Sequence, residues 1–282
     1  MAGLKTTLLV CCHKQDVYAK QAPYFPIQVG KALSTIDLGI QGDDTGDNIS
    51  RKNASYCELT GMYWAWKNLG DSDIIGLCHY RRYFDFHKQG RFGFPSTSLK
   101  SRAFDGLDLS IPEEYLERVK NGAIILTKPK VYRNPVFVDY CVRHISDDIR
   151  TLRTIINTTQ PEYIQEAFFK VVEQDNRLRH YNMFIMRRDM FDQYCSWLFP
   201  LLETVENNID ISSYNPVQKR IFGYMSERLL SVWAVAHRLK IIEKPVLWIN
   251  DGEDYLNGYT FPRYALRVVT NTIANFMVKP RR

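Results

Sequence analysis

What this sequence lacks narrows it first. Nowhere does it carry the roughly 18 consecutive apolar residues that a membrane-crossing helix needs. Its early apolar run, Leu8 to Cys12, is too short for the core of a secretion signal. Both absences point to a chain made and kept in the cytoplasm. The six cysteines, Cys11, Cys12, Cys57, Cys78, Cys141 and Cys195, form no CxxC pair and have no histidine partners at zinc-ligand spacing. Sitting mostly inside apolar runs, they read as reduced core thiols. Internal repeats, low-complexity tracts, a phosphate-cradling glycine loop and a clear metal-carboxylate cluster are all missing. The formal charge is only +6, and its basic residues lie among aromatics and acids rather than in a block. That suits an anionic small ligand or an anionic lipid surface and argues against a nucleic-acid track.

What is present is enough for a full core: 282 residues, 45% of them apolar and 13% aromatic. Thr6 to Cys12 is a β-branched and apolar run that ends in His13-Lys14, as a buried first strand of a parallel sheet would. A polar, turn-forming stretch from Gly42 to Asn48 precedes a helix expected from Ser50 or Asn53 to Asn68. Asp73 to Tyr80 gives a second strong strand, and residues 85–110 read as a polar excursion. After a helix over 112–120, further strands are expected at Ala123–Thr127, Tyr181–Met186 and Ile241–Ile249. The spacing predicts helices over Phe137–Asn157, Glu162–Glu173, Met190–Asn207 and Gln218–Leu239. This alternation predicts an α/β fold with a mostly parallel sheet, in a domain of residues 1–255 with a helical C-terminal part. Over 256–282, apolar and basic residues at helical spacing end in Lys279-Pro280-Arg281-Arg282, a tail suited to a membrane surface.

The sharpest chemical signal is His79-Tyr80-Arg81-Arg82 at the expected carboxyl end of a buried strand. Parallel sheets bind ligands beyond that end, and arginine forks match phosphate oxygens. The alternative is that both arginines only pair with Asp85 or other acids. Asp71-Ser72-Asp73 mimics a metal-holding DxD but precedes the strand, at the wrong end; a divalent ion, Mn or Mg, therefore has no well-placed motif, with Asp85 the better contributor. Asp44 and Asn48 could hydrogen-bond ribose or sugar hydroxyls, against the plainer reading of a self-capped turn. Tyr63 and Lys67 share a helix face that could meet a base and a phosphate, or simply the core. His13 and Lys14 end the first strand, where a nucleotide would sit, and Asn182 could read a hydroxyl or serve the backbone. For a general base, Glu227 leads, with Asp44 or Asp139 as alternatives and a structural pair with Arg228 as the plain reading.

Taken together, these segments resemble a known family: bacterial capsule and O-antigen galactofuranosyltransferases first classed as a domain of unknown function. The resemblance runs over about residues 7–250. It is carried by His13-Lys14, by Gly42 to Ser50, by Lys52 to Thr60, by Tyr63-Trp64-Ala65-Trp66-Lys67-Asn68 and by Gly76 to Phe84 with its HYRRYF run. In the second half it is carried by Asn182 to Met186, Trp197-Leu198-Phe199-Pro200 and Arg220 to Leu229. It implies a GT-A-like nucleotide-sugar-binding fold, a UDP-sugar donor, UDP-galactofuranose in particular, and an inverting transfer. The implied acceptor is lipid-linked or an oligosaccharide at the inner face of the membrane. The rival reading is a non-catalytic nucleotide-sugar or carbohydrate-binding subunit of an assembly complex.

Overall fold

The computed structural model describes residues 4–90 and 92–251, with Val269 beyond them; the basic helix expected in 256–282 otherwise lies outside the described residues. The first strand, β1 (Thr6–Cys12), matches its expected bounds and sits deep in the sheet. Its apolar residues serve two cores at once. Leu9 and Cys11 face one hydrophobic cluster, and Leu8, Val10 and Cys12 face the other. A strand apolar on both faces requires cover on both, which is why the run is unbroken rather than alternating.

Beside β1 lie β2 (Tyr24–Gln28), with β3 (Gln41–Gly42) outside it, and β4 (Ile74–His79), all parallel. At His79 the chain folds back into β5 (Arg82–Phe84), paired antiparallel to β4 through His79 and Arg82. The excursion after it contains β6 (Ser96–Leu99). Then come β7 (Ala123–Thr127), a small separate ladder of β8 (Lys130–Val131) with β9 (Arg177–Leu178), β10 (Phe184–Arg187), β11 (Lys240–Lys244) and β12 (Val246–Ile249). The order across the main sheet is β11-β7-β10-β4-β1-β2-β3, with β10 antiparallel to both neighbours, while β12 joins β5 and β6 into a side wing. The sheet is therefore mostly parallel, as expected.

Short α1 (Asn53–Tyr56) and α2 (Leu59–Asn68) follow β3, and α3 (Glu113–Lys120) precedes β7. The layer between β8 and β9 contains α4 (Val136–Arg143), α5 (Ser146–Thr159) and α6 (Glu162–Phe168). Two long helices, α7 (Arg188–Glu206) and α8 (Ile221–Ala236), complete the fold.

Several elements depart from expectation, each for a local reason. The helix read over 50–68 breaks at Cys57, whose φ of 53° no helix accommodates, and the break sets Glu58 at the entrance of α2. The helix read over Phe137–Asn157 is interrupted by extended backbone at His144. Tyr181 and Asn182 adopt φ of 80° and 52°, so the strand read from Tyr181 begins only at Phe184. Pro245 has no N–H for a ladder and divides the last apolar run into β11 and β12. Pro26 inside β2 masks a parallel strand for which the sequence carries no expectation.

Candidate active site

The chemistry-bearing residues gather where β1 and β4 end. A cavity of about 720 Å³ opens there, lined by His13 after β1, by His79, Tyr80 and Arg82 around the end of β4, by Glu58, and by Tyr181. Its far wall is the entrance to α8, with Lys219, Arg220, Tyr224 and Glu227. Because β10 runs against β4, the turn preceding it, Tyr181-Asn182, lies at that same edge.

The two arginines of the HYRRYF run part company. Arg81 is tied to Asp16 at 2.6 Å and does not line the cavity. Arg82 does line it, and its guanidinium lies 4.6 Å from the centre of the Tyr181 ring with no carboxylate partner among the described residues. Its buried Nε has no hydrogen-bond partner either. Asp85 is not the partner of either arginine: both of its oxygens accept backbone N–H groups, from Gln89 at 3.0 Å and Gly90 at 2.8 Å.

Two further cations were not picked out from the sequence as phosphate ligands. Lys219 and Arg220 stand in the cavity wall without a carboxylate partner among the described residues; Arg220 Nε reaches only the Cys57 sulfur, at 3.4 Å. They immediately precede α8. A helix entrance carries the positive end of the helix dipole, so two cations there are unfavourable unless an anion joins them. That misplacement of charge was the available signal. Arg82, Lys219 and Arg220 together make an anion receptor in which none of the three is held in a direct ion pair by a carboxylate of the described residues.

Two histidines line the cavity, His13 and His79. Burial pushes the His79 imidazole below its ordinary value, and its Nε2–H donates to the Tyr181 carbonyl at 2.7 Å, leaving Nδ1 as an acceptor. Burial likewise lowers His13, aided by nearby Lys14, and its ring meets the Tyr80 ring edge-on at 5.2 Å.

Two carboxylates face the cavity, and they differ. Glu227 is fully engaged: Oε1 accepts the Tyr181 N–H at 2.7 Å, while Oε2 lies 3.3 Å from His180 Nδ1 and 3.7 Å from Arg228. Burial alone would raise its pKa, yet His180, Arg228 and the Tyr181 N–H overcome that and hold it well below the ordinary carboxylate range. Glu58 is not engaged in this way. Only its Oε1 is taken, by the Asn182 amide at 2.7 Å.

The remaining sequence candidates lie elsewhere. Lys14 is exposed, 4.0 Å from Asp16. Asp44 is an exposed turn residue outside the cavity, whereas its neighbour Asp43 is buried and accepts the N–H groups of Gly30 and Lys31. Asn48 bonds its own turn, donating to the Gly46 carbonyl and accepting from the Ser50 N–H. Tyr63 and Lys67 face a separate 220 Å³ groove with Trp66 and Phe199, where Tyr63 donates to Asp47 and the Lys67 ammonium covers Trp66 at 3.6 Å. Asn182 is buried, its amide donating to Glu58 and to the Gly223 carbonyl. Asp139 pairs with Arg143.

A divalent ion finds no donor set here. Asp71 and Asp73 sit before β4, at the edge opposite the cavity, and hold Lys5. Among the described residues no three His, Cys, Asp or Glu side chains converge to bind a metal.

Residues 7–238 match the family described as Domain of unknown function (DUF4422). The chain belongs to this family. Its structure is similar to the apo structure of WbbM, a bifunctional glycosyltransferase, with a TM-score of 0.75 and 30% sequence identity. The similarity covers 88% of this chain and 46% of that one, so this chain spans less than half of that relative's length. No curated protein matches the chain. Family and fold thus agree with the glycosyltransferase resemblance, and a mixed α/β architecture with a mostly parallel central sheet is consistent with a GT-A-like fold.

Proposed function

We propose that this protein is a glycosyltransferase that moves a hexose from a nucleoside-diphosphate sugar onto a carbohydrate acceptor during synthesis of a surface polysaccharide. The observation that carries the proposal is the trio Arg82, Lys219 and Arg220, three cations without carboxylate partners among the described residues, around a cavity at the ends of parallel strands. A diphosphate leaving group carries the charge such a receptor lacks, and fixed donors aimed at it ease its departure without reorganisation. The sequence resemblance supplies the finer reading: UDP-galactofuranose as donor, a lipid-linked or oligosaccharide acceptor, and inversion at the anomeric carbon.

The test is incubation with a panel of UDP-hexoses, including UDP-galactofuranose and UDP-galactopyranose, and oligosaccharide acceptors. UDP release and acceptor mass are followed with and without EDTA. One donor should be consumed, EDTA should spare the reaction, and the acceptor should gain one hexose. Tight UDP-sugar binding without turnover on any pair would instead make the protein a binding subunit and overturn the transferase reading.

A further inference from the structure

An inverting transfer needs one carboxylate with a free lone pair facing the acceptor, and only Glu58 and Glu227 among the described acidic residues line the cavity. Glu227 led on sequence grounds. In the structure its oxygens are occupied by the Tyr181 N–H, His180 and Arg228, and the same contacts make it a weak base. Glu58 has the complementary arrangement. Asn182 fixes one oxygen at 2.7 Å, and no described residue donates to the other.

Asn182 is itself well fixed. Its amide also donates to the Gly223 carbonyl at 3.1 Å, on the first turn of α8. Its φ of 52° is one that asparagine tolerates better than most residues. The preceding residue, Tyr181, is anchored at its N–H by Glu227 and at its carbonyl by His79. Glu227 therefore secures the turn that presents Asn182, and Asn182 orients Glu58.

Resting on the transferase reading above, we propose that Glu58 is the general base of the reaction, with Asn182 as its positioning residue. The acceptor hydroxyl oxygen forms the new bond to the anomeric carbon while its proton passes to Glu58 Oε2. The bond from the anomeric carbon to the diphosphate oxygen breaks, and its electron pair stays on the diphosphate beside Arg82, Lys219 and Arg220.

Glu58→Gln keeps an oxygen for the Asn182 amide and removes the proton acceptor, so kcat should fall at least about 100-fold, within the range general-base catalysis provides. UDP affinity, by titration calorimetry, should stay the same or tighten. In Glu58→Ala, azide needs no deprotonation and should restore donor consumption, giving a glycosyl azide of inverted configuration, which a merely structural residue would not allow. Asn182→Gly, which keeps the left-handed turn free of strain, should lower kcat less than Glu58→Gln and leave both KM for donor and UDP affinity in place. If wild type transfers sugar and Glu58→Gln does so as fast, or if azide fails to restore Glu58→Ala while UDP still binds, the base assignment is wrong and the transferase reading stands. A wild-type protein that transfers from no donor sinks both.

Discussion

Arg82→Ala is the substitution that bears most directly on the anion receptor. The guanidinium lines the cavity, stacks on Tyr181, and has a buried Nε without a partner. Removing it deletes at least one charged hydrogen bond to a bound diphosphate, worth about 1.5–3 kcal/mol. With a tenfold change for about 1.4 kcal/mol, UDP should bind about 10- to 150-fold more weakly. Uridine, which has no phosphate, should bind as it does to wild type, so the ratio of the two affinities isolates the phosphate contribution. Arg81→Ala is the internal contrast: its guanidinium is held by Asp16, so UDP affinity should remain while thermal stability drops. Calorimetric titration of UDP and uridine into the three proteins reads all of this. An Arg82→Ala protein that binds UDP like wild type, or loses uridine and UDP affinity alike, refutes the assignment of Arg82 to the diphosphate.

Two other predictions concern the frame around the site. A methyl group on Gly76, in the middle of β4, would lie 2.9 Å from both the Phe184 carbonyl oxygen and the Leu8 side chain, so Gly76→Ala should cost about 1–3 kcal/mol of stability in denaturant titration. Glu227 should make stability acid-sensitive in a defined direction. Its folded-state pKa is depressed to about 2 from an ordinary 4.5, so its contribution is present above about pH 4.5 and is lost as pH falls toward 2. Glu227→Gln should be less stable than wild type at neutral pH, by about 3 kcal/mol or more if the Arg228 charge is left unpaired. The gap should narrow on acidification; melting curves across pH that stay a constant distance apart would contradict the ionised, engaged Glu227.

How far the sequence revealed this molecule depended on which interactions define each part. β1 and β7 were legible to the residue because a strand buried on both faces is an uninterrupted apolar run, a pattern that depends on nothing distant. β2 was not, since a proline within five residues cancels the local signal, and only pairing with β1 identifies it as a strand. The same division runs through the site. HYRRYF stands at the strand end where the cavity opens, yet two adjacent arginines are equivalent in sequence and become different only when the loop after β1 brings Asp16 to one of them. Glu58 and Glu227 are likewise indistinguishable as letters. What separates them is distant partners: the Tyr181 N–H, His180 and Arg228 take both oxygens of Glu227, whereas the Asn182 amide, 124 residues from Glu58, takes only one of Glu58's. Sequence can nominate the residue types a reaction needs, but whether a charge is free to act is a property of its partners. Only one sequence-level clue escapes that limit, Lys219 and Arg220 at the positive end of a helix: a cost imposed by the helix itself, and so visible before any tertiary contact is known.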